Sequence, residues 1–62
     1  MSAEESLRRA EELMERLEET RTRLEETTDP EAAIDILSEL AEIAKEIEVA
    51  LSQAKREADA EP

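Results

Sequence analysis

The sequence predicts an all-α protein: an antiparallel hairpin of two long amphipathic helices that assembles into a four-helix bundle. Three observations carry this. Apolar residues recur at steps of three and four through both halves of the chain, and the one interior break is the Thr27-Thr28-Asp29-Pro30 run. At 62 residues the chain is also too short to build a large core, and with no cysteine it has no disulfide to compensate. A single core of this size rarely supplies more than about 3–5 kcal/mol, so a partner chain is the expected remedy.

The first helix is expected from about Ala3 to Thr27. Ser2-Ala3-Glu4-Glu5 is a Ser-x-x-Glu capping box, in which the Ser2 hydroxyl and the Glu5 carboxylate satisfy free amides of the opening turn. Ala3, Leu7, Ala10, Leu13, Met14, Leu17 and Leu24 then form one apolar stripe, with charged residues around the rest. Glu4/Arg8, Glu5/Arg9, Glu12/Arg16 and Glu19/Arg23 are i,i+4 pairs in the favourable order, each worth about 0.2–0.5 kcal/mol.

Residues 28 and 29 make the turn. Pro30 disfavours helix at Asp29 but suits the first position of a new helix, with Asp29 as its N-cap. The second helix is expected from Pro30 to about Ala58. Ala33, Leu40, Ile47 and Ala54 repeat at intervals of seven, accompanied by Ile36, Ile43 and Ala50, and by Leu37, Ala44, Leu51 and Ala58. Lys55 and Arg56 suit the C-terminal dipole, and residues 59–62 read as a frayed tail.

Folded together, the helices align with Leu24 facing Ala33, Leu17 facing Leu40, Met14 facing Ile43, Ala10 facing Ile47 and Leu7 facing Ala50. Large and small residues then alternate across the seam. Helix 2 carries more large aliphatics than helix 1, so something further must cover it. The expected interface is Leu13, Met14, Leu17, Ile36, Leu37, Leu40, Ile43, Ile47 and Leu51. Ile34, Ala41 and Val49, outside the main stripe, mark a possible second contact surface. Thr20 and Arg21 interrupt the helix 1 stripe. The plain reading is an Arg21 whose stem covers apolar surface while its head meets Glu18 or Glu25; the sharper one is a polar layer that fixes register.

Composition excludes whole classes of function. A formal net charge of −11 repels phosphate backbones and anionic lipid headgroups, so no direct nucleic-acid or membrane partner is expected. No apolar run approaches the roughly 20 residues that span a bilayer, and the N-terminus shows no basic or apolar signal region, so a cytoplasmic home is expected. Without histidine or cysteine the usual transition-metal ligands are missing. Glu11/Glu15/Glu18 and Glu39/Glu42/Glu46 have helical spacing, but they lie mainly off the apolar stripes and read as a solvated acidic face. Ser2, Ser6, Ser38 and Ser52 lack an adjacent base and an oxyanion hole. No catalytic residue, cofactor, metal or small-molecule substrate is therefore expected.

Two resemblances add to this reading. Glu4-Glu5-Ser6-Leu7, Leu13-Met14-Glu15-Arg16-Leu17-Glu18, Pro30-Glu31-Ala32-Ala33-Ile34 and Leu51-Ser52-Gln53-Ala54-Lys55 resemble the small subunit of exodeoxyribonuclease VII. That family is a short acidic helical hairpin, non-catalytic, which binds a large catalytic subunit; its inter-helix glycine and helix 2 aromatic are absent here. The Asp29-Pro30-Glu31-Ala32 helix start, the dense Glu/Arg surfaces and the lack of glycine and aromatics are similar to computationally designed helical hairpins. Both resemblances imply an interaction or scaffold module. Its partner is either a second copy of the chain, most simply as a dimer, or a larger protein.

Overall fold

The computed structural model describes residues 2–60 as two helices, α1 (Ala3–Glu26) and α2 (Pro30–Ala60), folded back on each other as an antiparallel pair with Cα extents of 52 × 14 × 12 Å. The all-α hairpin expected from the sequence is the architecture observed.

The ends of the helices follow from local chemistry. Ser2, in extended backbone, caps α1 by accepting a hydrogen bond from the Glu5 amide at 3.2 Å. The Glu5 carboxylate closes the box differently from expectation, accepting from the Ser2 hydroxyl at 3.2 Å. Helix α1 stops at Glu26, one residue early, because Thr27 turns to ψ 129°. There its amide donates to the Leu24 carbonyl at 3.2 Å, and its hydroxyl donates to the Arg23 carbonyl at 2.7 Å. These two bonds close the helix without glycine, and no described residue has a positive φ. Across the turn, the Asp29 carboxylate accepts from the Glu31 amide at 3.3 Å and the Asp29 carbonyl from the Ala33 amide at 2.9 Å, which starts α2 with Pro30 at its first position. Helix α2 takes in Asp59 and Ala60, beyond the end expected at Ala58; the rest of the expected tail, Glu61 and Pro62, lies outside the described residues.

Burial defines the seam. On α1 the residues withdrawn from solvent are Ala3, Ser6, Ala10, Leu13, Leu17, Thr20 and Leu24, and Thr27 continues them past the helix end. That is a strict alternation of three and four, the heptad spacing of a coiled-coil contact. The matching row on α2 is Ala33, Ile36, Leu40, Ile43, Ile47, Ala50, Ala54 and Glu57. Ala10, Leu13, Ile43 and Ala50 form the central cluster, with Leu17 and Ile47 packed against it.

The seam differs from expectation on α1. Ser6 and Leu13 point at α2, whereas Leu7 and Met14, expected opposite Ala50 and Ile43, are 48% and 51% exposed. The rotation has a physical cause. It lets small residues (Ser6, Ala10, Ala50, Ala54) meet where the backbones approach, lets the Ser6 hydroxyl donate to the Glu57 carboxylate at 2.6 Å, and swings three arginines toward α2. Ser6 and Thr20 are buried without cost in unmet hydrogen bonds, since the Thr20 hydroxyl donates to the Arg16 carbonyl at 2.8 Å. The price in packing is that Leu13, Ile36 and Ile43 are the only large aliphatics fully buried among the described residues.

Candidate interaction surface

The two flanks of the seam are chemically opposite. On one flank Arg9, Arg16 and Arg23, seven residues apart, reach across the hairpin instead of back along α1: Arg9 to Glu46 at 3.6 Å, Arg16 to Glu39 at 4.0 Å and Arg23 to Glu39 at 3.3 Å. The arginine side chains are more than half exposed, so each pair adds little stability. Their sum instead fixes which side of each helix faces that flank. An open groove on this side is lined by Arg9, Leu13, Lys45, Val49 and Gln53.

The other flank is apolar. Leu7, Met14 and Arg21 on α1 each follow a seam residue by one position, as do Leu37, Ala44, Leu51 and Ala58 on α2. In an antiparallel pair these two rows come to the same side, just as the arginine row and the glutamates it meets share the other. Counted from the turn, Leu7 is level with Leu51, Met14 with Ala44, and Arg21 with Leu37. Leu7, Met14, Leu37 and Leu51 are all about half exposed, and Ala44 and Ala58 are open to solvent. Ile34, 63% exposed, and Ala41 border the row on α2. Val49 lies instead toward the ion-paired flank, in its groove.

The expected interface residues therefore fall into three groups. Leu13, Ile36 and Ile43 are buried in the hairpin's own seam; Leu17, Leu40 and Ile47 are half-buried between seam and flank; Met14, Leu37 and Leu51 stand on the open flank. Leu7 belongs with the last group. Its seven-residue spacing to Met14, the step that also relates Leu37, Ala44 and Leu51 on α2, is the signal in the sequence that marks it.

Arg21 closes the apolar row near the turn. Its guanidinium donates to Glu18 at 2.8 Å and to Glu25 at 3.1 Å, so the head meets both expected carboxylates along its own helix. The hydrogen bond from Arg21, with its charge, holds the Glu18 carboxyl below the usual carboxylate range and raises Arg21 in return. Among the described residues no three acidic side chains gather to hold a metal ion, and no helix is long and apolar enough to cross a membrane. Comparison with family models, curated proteins and solved structures finds no match, and the reading of this flank rests on its geometry.

Proposed function

We propose that the chain is a non-catalytic interaction module of the cytoplasm that pairs with a second copy of itself through the Leu7, Met14, Leu37 and Leu51 flank, two hairpins making a four-helix bundle. The observation that carries this is the alignment of four half-exposed large aliphatics on one side of both helices, while the seam fully buries only three. A continuous apolar strip of this kind on a small chain marks an association site.

Size supports the same reading. A face two helix diameters wide, at about 10 Å each, along the 24 residues of α1, and one diameter wide over the remainder of the 31-residue α2, offers about 800 Å² per hairpin at about 1.5 Å per residue. A standard stable interface takes about 800 Å² per partner. Packing a second hairpin there would also cover Leu17, Leu40 and Ile47, which one hairpin leaves half-buried.

Sedimentation across a range of concentrations tests the proposal. The wild-type chain should sediment as a dimer, and Leu37→Gln with Leu51→Gln should shift it toward monomer. A well-folded wild-type monomer at about 100 μM would overturn self-association. The flank would then serve a larger protein, such as the catalytic subunit of an exodeoxyribonuclease VII-type nuclease.

A further inference from the structure

We infer that the two hairpins pack with their turns at the same end, about a two-fold axis parallel to the helices, so that α1 of one copy lies beside α2 of the other. The inference rests on the self-association proposed above and fixes its geometry. Two face-to-face arrangements are open to a pair of hairpins. An axis along the helices sets α1 against the partner's α2, with the turns together. An axis across them sets α1 against the partner's α1 and α2 against its α2, with the turns at opposite ends.

Charge separates the two. Beside the apolar flank, α1 carries the row Glu4, Glu11, Glu18 and Glu25, with Arg21 paired to Glu18 and Glu25 and Arg8 lying near Glu11. The corresponding row of α2 is Ile34, Ala41, Glu48 and Lys55, which has no net charge. Placing α1 beside α1 brings two rows of four glutamates to a spacing near a helix diameter, comparable with the screening length of about 8–10 Å at ordinary ionic strength. Placing α1 beside α2 sets each glutamate row against a neutral one and brings Glu4 level with the partner's Lys55.

Side-chain size points the same way. With the turns together, Met14 meets the partner's Ala44 at the middle of the face, a large residue over a small one. With the turns apart, Met14 meets Met14 and Ala44 meets Ala44, which would force unequal spacing between the two helix pairs. The outer layers do not separate the two, since the first arrangement pairs Leu7 with the partner's Leu51 and Arg21 with the partner's Leu37, and the second pairs Leu7 with the partner's Arg21 and Leu37 with the partner's Leu51; the Met14 and Ala44 layer does.

A single spin label reads the difference. The chain has no native cysteine, and Thr28 is exposed in the turn, so Thr28→Cys carries one nitroxide per copy. Sedimentation of the labelled protein comes first. A monomer at the labelling concentration would overturn both the self-association and this geometry. In a dimer with turns together, hairpins packed about 10 Å apart give a label separation of about 20 Å by pulsed dipolar spectroscopy. With turns apart, about 14 residues of helix on either side of the midpoint, at 1.5 Å each, give about 40 Å. A dimer whose distance distribution peaks near 20 Å bears out the inference. A dimer peaking near 40 Å overturns it and leaves the self-association standing.

Discussion

Thr20→Val should stabilise the protein, although Thr20 is one of two polar residues buried in the seam. Thr20 is 2% exposed and its hydroxyl donates to the Arg16 carbonyl at 2.8 Å, a bond made inside its own helix to an oxygen the helix already uses. Nothing on α2 depends on that bond among the hydrogen bonds that cross the hairpin. Valine has nearly the same shape, so the change exchanges a buried hydroxyl for a buried methyl. The added methyl contributes about 0.8 kcal/mol of burial. Losing the hydrogen bond costs about 0.5 kcal/mol, the low end of the usual range, because the Arg16 carbonyl keeps its helical partner and no buried group is left unpaired. Helix preference is nearly unchanged, since both residues are β-branched. The net effect is stabilisation by about 0.3 kcal/mol, or a rise of about 1–2 °C in Tm for a domain of this size. Circular dichroism at 222 nm, by thermal and guanidinium unfolding at matched protein concentration, reads it directly. A lower Tm, or a broader transition with a smaller denaturant slope, would refute the reasoning and identify Thr20 as a polar layer on which the register depends.

Three further outcomes follow from the same geometry. Ser6→Ala should cost about 1–2 kcal/mol in chemical denaturation, because the Ser6 hydroxyl, unlike that of Thr20, bonds across the hairpin to a carboxylate; a neutral change would show that this link adds nothing. Ile43→Ala, at 1% exposure in the central cluster, should cost about 2–5 kcal/mol, enough to abolish most far-UV helical signal at 25 °C, and full retention of helicity would displace the seam from the core. The Glu18–Arg21 pair should stabilise the fold above the ordinary carboxylate range and cease to do so in acid. Glu18 is lowered in the folded state, so below both its folded and unfolded values it is protonated either way and the advantage is gone. A double-mutant cycle with Glu18→Gln and Arg21→Gln should show coupling at pH 7 that fades as pH falls through that range and as salt rises; coupling that grew in acid would reverse the sign.

The elements were legible in the sequence because their signals are local. The Ser2 cap, the Asp29-Pro30 start and the apolar spacing of α2 each act within a turn or two of helix, and each lies where expected. The rotation of α1 was not legible from hydrophobicity. A stripe chosen for apolar residues runs through Leu7 and Met14, whereas the seam runs through Ser6 and Thr20, one position earlier and one position before Arg21. What places a helix face in a close seam is small volume with satisfied polar atoms, and Ser6 finds its partner 51 residues away at Glu57. The ion pairs went the same way. Glu5/Arg9 and Glu12/Arg16 have the spacing for contact along α1, but the rotation that buries Leu13 carries Arg9 and Arg16 to the edge facing α2. Spacing showed which charges could meet, and the tertiary rotation decided which did. Leu40 reads as the middle of the α2 stripe, but Ile43 is the residue buried there, since the Ile36, Ile43 and Ala50 row faces α1 more squarely than the Leu40 and Ile47 row.

The placement of charge also bears on how a chain of net charge −11 can self-associate at all. Arg9, Arg16 and Arg23 are committed to one flank, where they meet Glu39 and Glu46. The surplus is concentrated on the outer face of α1, in the pairs Glu4-Glu5, Glu11-Glu12, Glu18-Glu19 and Glu25-Glu26 that recur every seven residues. The apolar flank of α2 is thereby kept almost free of carboxylates. In the proposed dimer the Glu4, Glu11, Glu18 and Glu25 row borders the partner's neutral row while the Glu5, Glu12, Glu19 and Glu26 row turns outward, and a third hairpin approaching α1 would meet like charge along the length of the helix. One surface pattern would thus do two things: leave a single apolar flank open to a second copy, and surround the finished pair with repulsion that opposes further growth.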